Sequence, residues 1–192
     1  MKKFLFSAAL LGFSISASAQ LSATATQQLD IIIPTYSGIA LETEKLTFDF
    51  TGDAPTVAGN NLGSAQKLAE TYLKISNMDQ YDDQADTKVS LTMSNLNPGL
   101  TLKLQVLAPG ANAKGDVGDI ESDFAAPFLL ANNTADDIVT GIGTCYTGSA
   151  SSDGYNLKYT LDVTGDGTDI FEDIADGNAN AVATQIVYTI SN

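Results

Sequence analysis

The stretch Leu100-Thr101-Leu102-Lys103-Leu104-Gln105-Val106 alternates apolar and polar side chains without a break. Successive side chains of a β-strand point to opposite faces, so a period of two predicts a strand with one buried and one wetted face. The pattern returns in Tyr155, Leu157, Tyr159, Leu161 and Val163, set against Asn156, Lys158, Thr160 and Asp162. It returns again in Val182, Thr184, Ile186, Tyr188 and Ile190. Shorter runs fit the same template: Leu29, Ile31 and Ile33; Leu46, Phe48 and Phe50; Glu70 to Ser76; Val89, Leu91 and Met93; and a weaker segment from Ile138 to Tyr146. About eight or nine strands with no comparable helical spacing predict an all-β chain, a single antiparallel Ig-like β-sandwich.

Turn chemistry separates these runs. Asn97-Pro98-Gly99 lies between two of them and predicts a tight turn joining antiparallel neighbours. Polar segments rich in Gly, Asn, Asp and Ser predict longer loops at 52–66, 108–127, 147–154 and 164–181. In the last of them Ile170, Phe171 and Ile174 have the spacing of a helical turn that Asp169 would cap. A membrane barrel would also alternate, but it calls for aromatic girdles, and tryptophan is absent.

The first residues have the grammar of an export signal. Lys2 and Lys3 precede an apolar run from Phe4 to Phe13, and Ala17-Ser18-Ala19 forms an A-x-A cleavage site, so residues 1–19 are expected to be removed. The run is far shorter than the roughly 20 residues that cross a hydrocarbon core, and no transmembrane segment is expected in residues 20–192. That region is expected to form one domain in the periplasm, at the cell surface or outside the cell. The single cysteine, Cys145, can neither close an internal disulfide nor carry a lipid at the new N-terminus, and its surroundings suit a small buried hydrophobe.

Cleavage takes two of the nine lysines and none of the 23 acidic residues, leaving a net charge of −16. Nucleic acid and anionic membrane surfaces both require a basic face, so neither is an expected partner. Arginine and histidine are also absent, which removes the bidentate anion clamp, the common general base and the imidazole metal ligand. Ser-His and Cys-His nucleophile pairs cannot form, and no glycine-rich phosphate loop follows a strand. A glycosidase needs only two carboxylates, but no pair stands out. A non-enzymatic protein is expected.

One motif invites a cofactor. Asp162, Thr164, Asp166 and Thr168, with Gly167 among them and Asp173 at the twelfth position, resemble the calcium loop of EF-hand and dockerin modules. Calcium takes six to eight oxygen ligands, which such residues supply. Asp169 stands where those loops carry an apolar residue, Asp173 replaces their glutamate, and the preceding segment alternates as a strand. The competing reading is a polar hairpin loop in an acidic protein. Two further acidic groups, Asp79, Asp82, Asp83 and Asp86, and Asp116, Asp119, Glu121 and Asp123, match no known cage and read as solvated loops.

The segment Leu21 to Ile33, the strand Leu100 to Val106 and the C-terminal strand Ala183 to Ile190 together resemble bacterial secreted sandwich domains of the fimbrial and pilin-like type, including the spore-coat-U-like family. The chain departs from many pilins in lacking a cysteine pair and in placing Tyr188 four residues before the end. The resemblance implies a structural or adhesive surface protein whose copies, or companion subunits, join by adding a strand to a neighbour's open sheet. Leu29, Ile31 and Ile33 are the expected strand-exchange residues. The alternative expectation is a calcium- or carbohydrate-binding module that uses the loops at one end of the sandwich.

Overall fold

The computed structural model describes residues 27–53, 56–57, 66–78, 87–163 and 184–191. Its contacts divide the chain into two units, Met1–Ile33 and Pro34–Asn192. The described part of the first, residues 27–33, contains no strand. The second is an all-β sandwich of two antiparallel sheets.

The larger sheet is built around a long strand, β2 (Gln66–Met78), which β1 (Tyr36–Leu41) flanks on one side. On its other side lie β10 (Tyr155–Val163) and the short β9 (Cys145–Tyr146), each opposite a different part of β2. Beyond β10 come β4 (Leu100–Leu107) and β7 (Phe128–Leu129); β5 (Lys114–Gly115) pairs with β9. The smaller sheet has the order β11 (Gln185–Ser191), β3 (Thr87–Ser94), β8 (Ala135–Ile142), β6 (Asp119–Ile120). With the four elements of two residues each, β5, β6, β7 and β9, the described residues form eleven strands, against the eight or nine read from alternation.

Alternation dictates the core. Leu73 and Ile75 from β2, Leu102, Leu104 and Val106 from β4, and Tyr155, Leu157 and Tyr159 from β10 point inward, where they meet Val89, Leu91 and Met93 of β3 and Ile138, Val139 and Ile142 of β8. Each such side chain contributes on the order of 1.5–3 kcal/mol by leaving water. Cys145 is buried with them, and burial pushes its thiol pKa up, as suits an inert packing residue. Two buried polar side chains are hydrogen-bonded: Asn77 donates to the Gly143 carbonyl at 3.1 Å, and Thr147 Oγ1 accepts from the Ile75 N–H at 2.9 Å.

Three expectations need correction. Asn97-Pro98-Gly99 does turn the chain, with the Leu100 N–H donating to the Asn97 carbonyl at 2.9 Å, but the strands it joins lie in different sheets. Two residues, Asn95 and Leu96, separate β3 from the turn, and Asn95 takes a left-handed φ of 63°, so the chain has room to step across the core. Leu46, Phe48 and Phe50 do alternate toward the core, yet among the described residues they belong to no strand, because no neighbour offers them a ladder. The expected strand at Leu29, Ile31 and Ile33 is likewise not formed, and β1 begins only after Pro34.

Among the described residues no helix is long and apolar enough to cross a membrane.

Candidate functional site

One side of the sandwich is covered and the other is not. On the covered side the chain passes from β6 to β7 through a 3-10 turn, Ser122–Ala125. Phe124 in that turn is buried, its ring 4.7 Å from that of Phe128, and the Gln105 side chain donates to the Ala125 carbonyl at 2.9 Å. Both edge strands there are two residues long, and short edges offer little to a passing strand.

On the opposite side β11 is the edge of the smaller sheet. It pairs with β3 along its whole length, from Gln185 opposite Ser94 to Ser191 opposite Lys88, and among the described residues nothing pairs with its other edge. Such an edge leaves a row of N–H and C=O groups to bond with water or with another chain. Ile186, Tyr188 and Ile190 turn toward the core but are only half-buried, while Val187 on the other face is 48% exposed.

Facing β11 across the gap is the segment that follows β1. The Glu42 N–H still reaches the Tyr72 carbonyl at 2.9 Å and the Thr43 N–H reaches Thr71 Oγ1 at 3.0 Å. Past that point the chain leaves β2, whose first residues are then paired only with β10. Lys67 of β2 holds the far end of the segment, with an ion pair to Asp53 at 2.5 Å and its ammonium 5.6 Å from the centre of the Phe50 ring.

Between this segment and β11 lies a groove of about 600 Å³. Leu100, Leu102 and Leu161 form its floor, with Leu46 and Phe48 on one wall and Ile186 on the other. Tyr159 and Tyr188 join hydroxyl to hydroxyl across it, linking the two sheets. Burial pushes the Tyr159 hydroxyl up to about 12 and that of Tyr188 well above its ordinary value, so both stay protonated at neutral pH.

Within the N-terminal unit, Leu29, Ile31 and Ile33 are 75%, 74% and 58% exposed, and Ile32 is 92% exposed. Four large apolar residues in one short stretch in water form an unusual surface.

The other residues singled out by sequence fall elsewhere. Asp162 sits in β10 and accepts from Gln66 at 2.6 Å and from Lys103 at 2.9 Å; these hydrogen bonds hold its carboxyl below the usual range. Thr164, Asp166, Thr168 and Asp173 lie outside the described residues, as do Asp79, Asp82, Asp83, Asp86 and the helical turn expected near Ile170. Glu121 accepts from the Thr140 hydroxyl at 2.7 Å, and among the described residues no three acidic or thiol groups gather as a metal site. Sequence reasoning found the exposed apolar segment and missed the groove. The signal was the alternation at Leu46, Phe48 and Phe50, which marked burial without pairing.

No protein-family model matches this chain, and neither a curated protein nor a solved structure does.

Proposed function

We propose that this chain is an exported structural or adhesive protein of the cell surface or periplasm, a fimbrial-type subunit that assembles by strand addition. The observation that carries the reading is a match of two unsatisfied features. Among the described residues β11 has a free edge beside an apolar groove, and Leu29, Ile31 and Ile33 form an exposed apolar stripe at the period of a strand. Added to β11 of a second copy, residues 29–33 would give that edge its missing hydrogen bonds, and three side chains on one face would enter the groove.

Export follows from the signal-like residues 1–19, and the lack of histidine and arginine supports a role without catalysis. The test is light scattering on residues 20–192 across a range of concentration, beside the variant Ile31→Asp. Assembly that grows with concentration and is lost in the variant, with the thermal melt unchanged because Ile31 is exposed, is the expected result. A monomer at every concentration, or assembly indifferent to the substitution, would overturn the reading.

A further inference from the structure

At the other end of β2 from the groove, four residues stand abreast on the outer face of the larger sheet. The register places Gly38 of β1 opposite Ser76 of β2, Ser76 opposite Tyr146 of β9, and Tyr146 opposite Lys114 of β5. Their chain neighbours Asn77 and Cys145 point into the core, so this row faces solvent. Tyr146 is 52% exposed although its backbone is paired on both sides, which holds an open ring on a rigid base. Gly38 and Ser76 beside it are small, and a Cβ added at Gly38 would meet nothing within 4 Å. The result is a shelf next to an aromatic face.

The loop after β9 and the loop before β5 close one end of the shelf into a hollow of about 560 Å³. Its polar groups are fixed in advance. Asp153 is only 6% exposed; one of its oxygens accepts from Asn112 Nδ2 at 2.9 Å and the other from the Ala150 N–H at 2.7 Å. Those bonds hold its carboxyl below the usual range, so it is an ionised acceptor with a lone pair left on each oxygen. Gly148, at φ +102°, lets the loop fold against it: a Cβ there would stand 2.4 Å from the carboxylate.

This chemistry is selective. A single carboxylate with Lys114 alongside is too few acidic ligands for calcium, which takes six to eight oxygens. The ionised Asp153 disfavours an anion, and with one ring as the main apolar surface the hollow suits no greasy ligand. A neutral polyol fits: its C–H face lies on the tyrosine ring, while its hydroxyls donate to Asp153 and the Asn112 carbonyl and accept from Lys114. We propose that the Tyr146 shelf is a carbohydrate-binding site, taking one neutral hexose unit of a glycan across the ring with its hydroxyls on the Asp153–Asn112 pair. The site lies apart from the β11 groove and stands whether or not the chain assembles by strand addition.

The test is an amide-resolved NMR titration of residues 20–192 with glucose, galactose, N-acetylglucosamine and their β-linked dimers. The expected result is a saturable shift of the Tyr146, Asn112 and Lys114 amides with at least one of these sugars, at a Kd on the order of 1 mM. Tyr146→Ala should weaken binding about tenfold or more, and Tyr146→Phe, which keeps the ring, should stay within roughly threefold of the parent. Asn112→Ala removes the polar end of the site together with one hydrogen bond to Asp153 and should weaken binding as well. The absence of saturable shifts at these amides with every sugar, or binding that survives Tyr146→Ala, would overturn the assignment.

Discussion

The two long sides of the sandwich solve the same problem differently. Where β6 and β7 end the sheets, a 3-10 turn carries the buried Phe124 between them and the edges are two residues long. Where β1 and β11 end them, Leu46 and Phe48 cover the core only in part, and among the described residues a seven-residue edge strand is left without a second neighbour. A folded domain tends to blunt its long edges, because an open one invites pairing with other chains. The contrast is what directs the proposed assembly to one side: in that reading the covered side serves stability and the uncovered side receives a partner strand.

The sharpest way to break this comparison is to remove one aromatic ring from each side. Phe124→Ala should cost about 3–5 kcal/mol, the usual loss for a fully buried ring, whereas Phe48→Ala should cost about half that, since Phe48 is already partly in water. Equal losses in denaturant melts would mean that the groove is as firmly closed as the other side.

A second effect is alkaline. The Tyr159 hydroxyl, normally near 10.0, is raised to about 12 in the folded chain, so folding favours its neutral form. Its contribution is complete below pH 10 and is lost as pH rises through 12, an amount of roughly 3 kcal/mol. Tyr155, also raised by burial, acts in the same direction. Far-UV circular dichroism against pH should therefore show unfolding in that window, with the Tyr159→Phe variant less sensitive. A pH-independent signal through pH 12 would contradict the burial of these groups.

Smaller still is the link across the groove floor. Tyr188→Phe alone leaves the Tyr159 hydroxyl without its partner and should cost ~1–3 kcal/mol. The double variant with Tyr159→Phe should cost less than the sum of the two singles, with a coupling of about 1 kcal/mol in a double-mutant cycle. At the bottom of the scale, Asp162→Asn removes an ion pair to Lys103 on the solvent face of the larger sheet and should change the melt by no more than ~1 kcal/mol.

How much of this was readable beforehand depended on what each pattern physically reports. Leu100 to Val106 and Tyr155 to Val163 became strands with the expected faces, because one buried side is all that period two encodes. Leu46, Phe48 and Phe50 show the limit: the same period marked a half-buried segment that has no ladder. Asn97-Pro98-Gly99 shows another, since turn residues fix a reversal of direction but not which sheet receives the next strand. The free edge of β11 depends on strand order, which alternation does not carry. Tyr146 gave little signal, being one aromatic residue in a two-residue strand between polar loops.

The most direct test of the central claim is amide hydrogen exchange followed by mass spectrometry on residues 20–192, at a dilute and a concentrated condition. If residues 29–33 of one copy complete β11 of another, peptides covering 27–33 and 185–191 should gain protection together as concentration rises, while the Ser122–Ala125 turn stays unchanged. Assembly in which both peptides exchange as fast as they do when dilute would contradict the account.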